Sequence, residues 1–208
     1  MPPRIVARQL SHPHGFLGRI IRLLMNRTNA QLNAFALQQL QLQSTDRVLE
    51  IGFGGGATLP LLLAGSAFVA GLDRSLDAVE AAKARFSATA DRTEFRQGNV
   101  EAMPFAAAAF DKAFTVNTVY FWTSLDAGFS EIHRVLKPGG KVVVGFLPKE
   151  WMDTMNFPTD IFTSRAPEDL LATLGRTGFT DARIERPNST TRWNVVVARA
   201  SAQQGSHR

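Results

Sequence analysis

The stretch that most constrains the fold runs from Val48 to Leu59 and reads VLEIGFGGGATL. Its apolar start predicts a short buried strand, and the glycines that follow predict a tight turn before a helix. A turn without Cβ atoms lets a ligand approach the backbone, and the N–H groups at the start of the helix then face that ligand. In α/β proteins, nucleotides bind at this place, the carboxyl end of a strand.

The spacing within this loop supports two interpretations. Glu50, Gly52, Gly54 and Gly56 form an acidic residue followed by three alternate glycines. Gly52, Gly54 and Ala57 also satisfy the dinucleotide fingerprint Gly-x-Gly-x-x-Gly/Ala. The loop alone leaves both open, so the rest of the chain has to decide between them.

Length and composition limit the remaining choices. The chain has 208 residues, of which 45% are hydrophobic, which suits one domain with a substantial core. It has no cysteine, so disulfides, thiolate metal sites and cysteine nucleophiles are excluded. No apolar run approaches the roughly 20 residues that span a bilayer, and the N-terminus lacks the apolar core of a signal peptide. We therefore expect a cytoplasmic protein.

The net charge of +5 is unevenly placed. Residues 1–45 contain five arginines and no acidic residue, whereas basic and acidic residues balance in the rest of the chain. Dispersed arginines do not form a polybasic tract, so no nucleic-acid partner is expected. We divide the chain into an N-terminal helical arm or lid (1–45), one domain (46–199) and a flexible tail (200–208).

Strands and helices alternate from residue 46 onward, which predicts an α/β fold whose mostly parallel sheet carries helices on both faces. A hairpin formed by the last two strands predicts an antiparallel edge strand. The seven predicted strands are 47–51, 68–72, 93–97, 110–116, 141–146, 182–186 and 192–199, and the helices are 57–63, 76–88, 125–136 and 167–177.

Two helices are predicted in the N-terminal arm, over residues 16–25 and 29–42. The first has an apolar face that includes Phe16 and an opposite face that carries arginines. It caps the core, covers a substrate as a lid, or lies on a membrane surface. His12 and His14 precede it, and either could act as a base if the arm folds over the site. The alternative is that both histidines are solvated.

Polar residues follow the second and third predicted strands. The Asp73 carboxylate can accept hydrogen bonds from both hydroxyls of a ribose, or it can cap the next helix, a position that Ser75 fills better. Asn99 can bond the exocyclic amine of an adenine. Met103 and Phe105 either line the adenine ring or belong to the core.

The segment LKPGG, residues 136–140, ends a helix and turns the chain into the fifth strand. Together with GNVEAMPF (98–105) and the glycine loop, it makes residues 46–147 resemble the class I S-adenosylmethionine-dependent methyltransferases. The resemblance is to the small-molecule type 11 subgroup, which includes the ubiquinone and menaquinone biosynthesis methyltransferases. A dinucleotide enzyme is not expected to show these segments at these spacings.

The resemblance implies a Rossmann-like, doubly wound fold and S-adenosyl-L-methionine as cofactor, with S-adenosyl-L-homocysteine as product and no metal. Glu50 and the glycine loop would hold the methionine end. The family usually has Asp at the position of Asn99, whose amide oxygen can still accept from adenine. The implied cofactor-binding residues are Glu50, Gly52, Phe53, Gly54, Gly56, Asp73, Arg74, Ser75, Asn99, Val100, Glu101 and Asn117.

Methyl transfer requires in-line alignment of a nucleophile with the methyl group, and proximity and orientation supply most of the catalysis. Asn117, which ends the fourth strand, would lie near the reactive methyl group. Tyr120 follows it and either orients or deprotonates the acceptor or packs as a pocket wall. Asn117 and Tyr120 are therefore the catalytic candidates.

The acceptor is expected to be a small, largely apolar or aromatic metabolite. Residues 147–165 are rich in aromatic residues and methionine, and they form either an adaptable pocket wall or a helix packed on the sheet edge. The alternatives are a lipid methyltransferase at a membrane surface and a cofactor-binding protein that lacks catalysis. The predicted acceptor-binding residues are Phe16, Tyr120, Trp122, Trp151 and Met155.

Overall fold

The structure is a computed structural model that describes residues 29–202. Its strands are β1 (Arg47–Ile51), β2 (Phe68–Asp73), β3 (Thr93–Gln97), β4 (Phe110–Val116), β5 (Leu136–Phe146), β6 (Phe179–Glu185) and β7 (Asn194–Ala200). Its helices are α1 (Ala30–Leu40), α2 (Leu59–Gly65), α3 (Leu76–Arg85), α4 (Leu125–Val135), α5 (Lys149–Met152) and α6 (Pro167–Arg176).

The seven strands form one sheet in the order β3-β2-β1-β4-β5-β7-β6. The first five run parallel, and β7 runs antiparallel to both of its neighbours. The predicted α/β fold and mostly parallel sheet are confirmed. The reversed strand lies one place in from the edge, because β7 inserts between β5 and β6.

Two apolar layers cover the sheet, one on each face. Along β5, Val142 and Val144 belong to one layer, and Val143 belongs to the other, as the two-residue period of a strand requires. Helices α4 and α6 bury their apolar faces in the first layer, and α1, α2 and α3 bury theirs in the second. No helix in the described residues is long and apolar enough to cross a membrane.

Helix α1, which the sequence assigns to the N-terminal arm, packs on the sheet as part of the domain. Leu32, Ala36 and Leu40 are buried against the second face of the sheet. Most of the predicted arm, with the helix over 16–25 and the candidates His12, His14 and Phe16, lies outside the described residues. The same holds for residues 203–208 of the predicted tail.

Two segments contain short helices at the carboxyl edge of the sheet: the residues after β4, where the sequence predicts no helix, and 147–165, where a helix was one of the two alternatives. A 3₁₀ turn covers Val119–Phe121 after β4, and α5 with a second 3₁₀ turn, Asp153–Met155, follows β5. These turns are too short to show a helical period. They matter for function because they fix the side chains that border the carboxyl ends of β4 and β5.

Two adjacent leucines of α2 test the packing of the second layer. Leu62 is fully buried, whereas Leu61 is 56% exposed on the same helix. We expect Leu62→Ala to lower the free energy of unfolding by about 2–5 kcal/mol, because it removes buried methyl groups and leaves a cavity. Leu61→Ala is the matched control, with a change within about 0.5 kcal/mol in urea denaturation. Equal effects of the two substitutions would contradict this packing.

Candidate functional site

A pocket opens where the carboxyl ends of β1, β2 and β4 meet. The loops that follow these strands and β3 form its walls, and the start of α1 closes one side. Its lining residues are Asn29, Asn33, Glu50, Ile51, Gly52, Phe53, Gly54, Gly55, Ala57, Thr58, Leu72, Asp73, Arg74, Ser75, Ala78, Gly98, Asn99, Val100, Val116, Asn117, Thr118, Phe121 and Trp122.

The glycine loop forms one wall of the pocket. Gly52 has a φ of +71°, and a Cβ atom there would collide with the side chain of Thr118. Gly54 has a φ of +52°, and a Cβ atom there would meet nothing within 4 Å. The first glycine is therefore needed for close packing, and the second leaves its backbone open to a ligand.

Asp73 ties the end of β2 to the glycine loop. Its Oδ2 accepts a hydrogen bond from the Gly54 N–H at 2.7 Å, and its Oδ1 accepts one from the Ser75 N–H at 2.9 Å. The helix cap is a different residue, because the Ser75 hydroxyl accepts from the Ala78 N–H at 3.3 Å. Asp73 thus lies in the pocket and Ser75 begins α3.

Glu50 is the carboxylate at the base of the pocket, and it is 5% exposed. Thr58 donates its hydroxyl hydrogen to Glu50 Oε1, while Oε2 is buried and has no hydrogen-bond partner in residues 29–202. Burial raises the pKa of Glu50 to about 7; the Thr58 hydrogen bond opposes this and the charge of Asp73 adds to it. A buried carboxylate oxygen that faces a pocket favours a cationic ligand group.

Asn99 and Val100 provide a polar and an apolar group on the β3 side of the pocket. Glu101, the next residue, does not line it. Its Oε1 accepts from the backbone N–H groups of Thr123 at 2.6 Å and Ser124 at 3.2 Å, just before α4. A carboxylate there stabilises the N-terminus of that helix.

Comparison with known proteins supports one family. Residues 49–144 match the family model described as "Methyltransferase domain". The chain is 29% identical over 170 residues to the uncharacterized methyltransferase YdaC of Bacillus subtilis. That match covers 79% of this chain and 88% of the relative. These matches support a class I S-adenosylmethionine-dependent methyltransferase.

Two further comparisons agree with this assignment. The methyltransferase is 30% identical over 139 residues to the ubiquinone/menaquinone biosynthesis C-methyltransferase UbiE of Geotalea daltonii. That match covers 63% of this chain and 57% of the relative. The fold matches geranyl diphosphate C-methyltransferase from Streptomyces coelicolor with a TM-score of 0.68 and 16% identity, over 84% of this chain and 78% of that one.

The pocket of the methyltransferase suits the cofactor that its family uses. The orphaned Glu50 oxygen suits the ammonium group of a methionine moiety, and the open backbone at Gly54 leaves room beside it. Asp73, Asn99 and Val100 offer acceptors and an apolar surface for a nucleoside. Among residues 29–202, no group of three or more His, Cys, Asp or Glu side chains could hold a metal ion.

Ten of the twelve predicted cofactor residues line the pocket of this methyltransferase. Gly56 and Glu101 do not. The Gly56 N–H instead donates to the Phe53 carbonyl at 2.7 Å, which closes the turn. The alternation of glycines in the sequence does not show which of them face the ligand, because that depends on the turn.

Tyr120 lies behind the pocket wall rather than in it. Its hydroxyl donates to Asn117 Oδ1 at 3.0 Å and accepts from the Leu147 N–H, so it ties the end of β4 to the end of β5. Burial raises the pKa of Tyr120 above its usual value. Asn117 itself lines the pocket in a left-handed conformation, with a φ of +57°.

The predicted acceptor-binding residues separate in the structure. Trp122 lines the pocket, but it is only 5% exposed and packs against Phe129. Trp151 and Met155 are 36% and 48% exposed and lie outside the pocket lining. The Arg192 guanidinium lies over the Trp151 ring, 4.6 Å from its centroid.

Several pocket residues were not predicted from the sequence. Asn29 and Asn33 come from the start of α1, and Thr58 reaches Glu50 from eight residues away. Phe121 lies in the 3₁₀ turn after β4. Phe121 is not a complete surprise, because the sequence already offers it, with Trp122, as a flat or apolar acceptor face or as core. Nothing in the sequence indicates how α1 crosses the sheet.

Glu50→Gln tests the burial of the pocket carboxylate. The unfolded chain ionises Glu50 near pH 4.5 and the folded cofactor-free protein near pH 7. Between these values the unfolded state binds fewer protons, so stability falls as the pH rises. Above pH 7 the penalty reaches about 3 kcal/mol, and we expect Glu50→Gln to raise the free energy of unfolding at pH 8 by about 1–3 kcal/mol.

The difference between Glu50→Gln and wild type should shrink toward zero near pH 4.5. Urea denaturation at both pH values measures it. Glu80→Gln is the control, because that side chain is 59% exposed on α3. A destabilisation of Glu50→Gln that is equal at both pH values would show that the carboxylate serves packing alone.

Proposed function

We propose that this enzyme transfers a methyl group from S-adenosyl-L-methionine to a small, largely apolar or aromatic metabolite by in-line displacement. The observation that carries the acceptor class is an aromatic series that begins in the pocket. Phe121 lines the pocket, its ring centroid lies 4.9 Å from that of Phe162, and Phe162 stacks on Phe157 at 4.7 Å. A flat or apolar acceptor fits such a wall.

The residues around the pocket support a definite orientation of the cofactor. Glu50 pairs with the ammonium group of the methionine end, and Asn99 and Val100 receive the adenine. Asp73 accepts from the ribose hydroxyls. Each oxygen of Asp73 already takes one backbone N–H, but a carboxylate has about four acceptor positions, so ribose adds to these bonds.

When bound, S-adenosylmethionine supplies a methyl group on a sulfonium centre, which becomes a neutral thioether as the acceptor takes the methyl group. The protein contributes alignment, and Asn117 is the polar residue placed at the carboxyl end of β4. We assign Tyr120 to positioning of Asn117, because its hydroxyl is bonded to Asn117 and Leu147. Its raised pKa keeps that hydroxyl protonated, which disfavours a role as base.

Relatives support the acceptor class without establishing it. One is named for ubiquinone and menaquinone biosynthesis, and a structural neighbour for geranyl diphosphate. Both names describe molecules with quinone or isoprenoid character. We therefore place apolar aromatic and isoprenoid acceptors first in a substrate screen, with long-chain lipids presented on vesicles as the second set.

Calorimetric titration with S-adenosylmethionine and S-adenosylhomocysteine tests the cofactor site. We expect micromolar binding to the wild type, about −8 kcal/mol, and a loss of at least tenfold in Asp73→Asn, because the ribose loses a charged acceptor. Asp77→Asn is the matched control, since Asp77 is exposed on the first turn of α3. A folded Asp73→Asn protein with wild-type affinity would refute the proposed orientation.

Transfer of radiolabelled methyl groups to a panel of acceptors tests the acceptor class. With an acceptor that the wild type methylates, we expect Phe121→Ala to lower kcat/KM about tenfold, since an aromatic contact and its buried area are lost. Affinity for S-adenosylhomocysteine should change by less than about threefold, or 0.7 kcal/mol. Trp151→Ala, outside the pocket lining, is the control. Methyl transfer only to polar acceptors, or an unchanged kcat/KM in Phe121→Ala, would refute the proposal that this aromatic wall binds the acceptor.

A further inference from the structure

A second groove lies at the opposite, amino-terminal edge of the sheet. It is bordered by the end of α1, the starts of β1 and β4, the LKPGG segment and β7. The charged residues that line it are Asp46, Asp111, Lys112, Lys137, Lys141 and Arg199. Four of them are cations and two are carboxylates, so the groove is electropositive.

The two carboxylates are already engaged. Lys112 Nζ lies 2.6 Å from Asp46 Oδ2, and Lys137 Nζ lies 2.7 Å from Asp111 Oδ1. Each carboxylate also accepts from a backbone N–H, that of Gln43 for Asp46 and that of Arg47 for Asp111. Lys112 and Lys137 are therefore each paired with a carboxylate, whereas Lys141 and Arg199 form no ion pair within residues 29–202.

Lys141 is the unusual member of this cluster, because a lysine that is 6% exposed normally has an acidic partner. Within residues 29–202, the hydrogen bonds of its Nζ go to neutral oxygens, to the Gln39 carbonyl at 3.2 Å and to Gln41 Oε1 at 2.5 Å. These bonds use two of three donors. Burial lowers the pKa of Lys141, and the charges of Arg199, Lys112 and Arg183 lower it further, while the charge of Asp46 opposes the shift.

Contacts with α1 explain the positions of Lys112 and Lys141. They do not explain why the groove has more positive than negative side chains. Lys112 and Lys141 bond carbonyls at the C-terminus of α1, which a cation stabilises. Arg199 adds to the repulsion, while its Nη1 donates to the Gly139 carbonyl at 3.2 Å. Arg183 on β6 contributes less, since its guanidinium pairs with Glu185 at 2.7 Å.

We propose that this groove binds a phosphate group, with Lys141 and Arg199 as its principal ligands. Their two positive charges, which have no acidic partner in the described part of the chain, match the two negative charges of a phosphate dianion. An arginine guanidinium and a lysine ammonium are the side chains that pair best with phosphate. Gly139 provides room, since a Cβ atom there would meet nothing within 4 Å.

This site is separate from the methyl-transfer pocket. β4 begins with residues that border the groove and ends at Val116, which borders the cofactor pocket together with the next residue, Asn117. Among residues 29–202, none lines both. The phosphate belongs either to free inorganic phosphate or to a small phosphorylated metabolite, and its binding does not depend on the acceptor proposed for the pocket.

Calorimetric titration of the full chain with inorganic phosphate, at an ionic strength held constant with chloride, tests the site. We expect saturable phosphate binding that acetate, a monoanion, does not reproduce. Arg199→Gln and Lys141→Met should each weaken it about tenfold, because each removes one charged hydrogen bond. Lys83→Gln is the control, because Lys83 is an exposed cation on α3 that pairs with Glu80.

A second arm uses glycerol phosphate. Comparable affinity supports a phosphorylated metabolite, and binding of inorganic phosphate alone supports the free ion. Saturating S-adenosylhomocysteine should leave the phosphate affinity unchanged.

The proposal is overturned if phosphate fails to bind above the chloride background, is displaced by S-adenosylhomocysteine, or binds Arg199→Gln as well as wild type. Arg199 is exposed, so its variant remains informative if Lys141→Met does not fold.

Discussion

The structure depends on the parallel pairing of β1 with a strand on each side. β2 and β4 flank β1 in register, so Ile51 lies beside both Leu72 and Thr115. The chain passes from β1 toward β2 and β3 on one side and returns to β4 and β5 on the other. A crevice forms where this direction reverses. The glycine loop, Asp73 and Asn117 meet there, although they are far apart in sequence.

The buried carboxylate in that crevice links stability to binding. Glu50 has one oxygen bonded to Thr58 and one without a partner in the described residues, and burial raises its pKa to about 7. An uncompensated charge of this kind weakens the folded state until a cation arrives. The protein thus keeps an unfavourable group where its ligand is expected to bind, as functional sites commonly do.

The two edges of the sheet carry opposite charge. Glu50 and Asp73 lie at the carboxyl edge, whereas Lys141 and Arg199 give the amino edge an excess of positive charge. Strand direction explains the separation, because β4 and β5 place their first residues at one edge and their last at the other. The two proposed ligands, a cationic cofactor and a phosphate, therefore have separate proposed sites on one sheet.

The sequence by itself determined the α/β class, the strand before the glycine loop and about half of the residues that line the pocket. These follow from local rules, namely two-residue and helical periods, glycines in a turn, and polar residues at strand ends. Only the tertiary structure decided that Tyr120 holds Asn117 from behind, that Glu101 binds the backbone just before α4, and that α1 supplies Asn29 and Asn33. Such roles depend on how elements distant in sequence pack together, which no local pattern encodes.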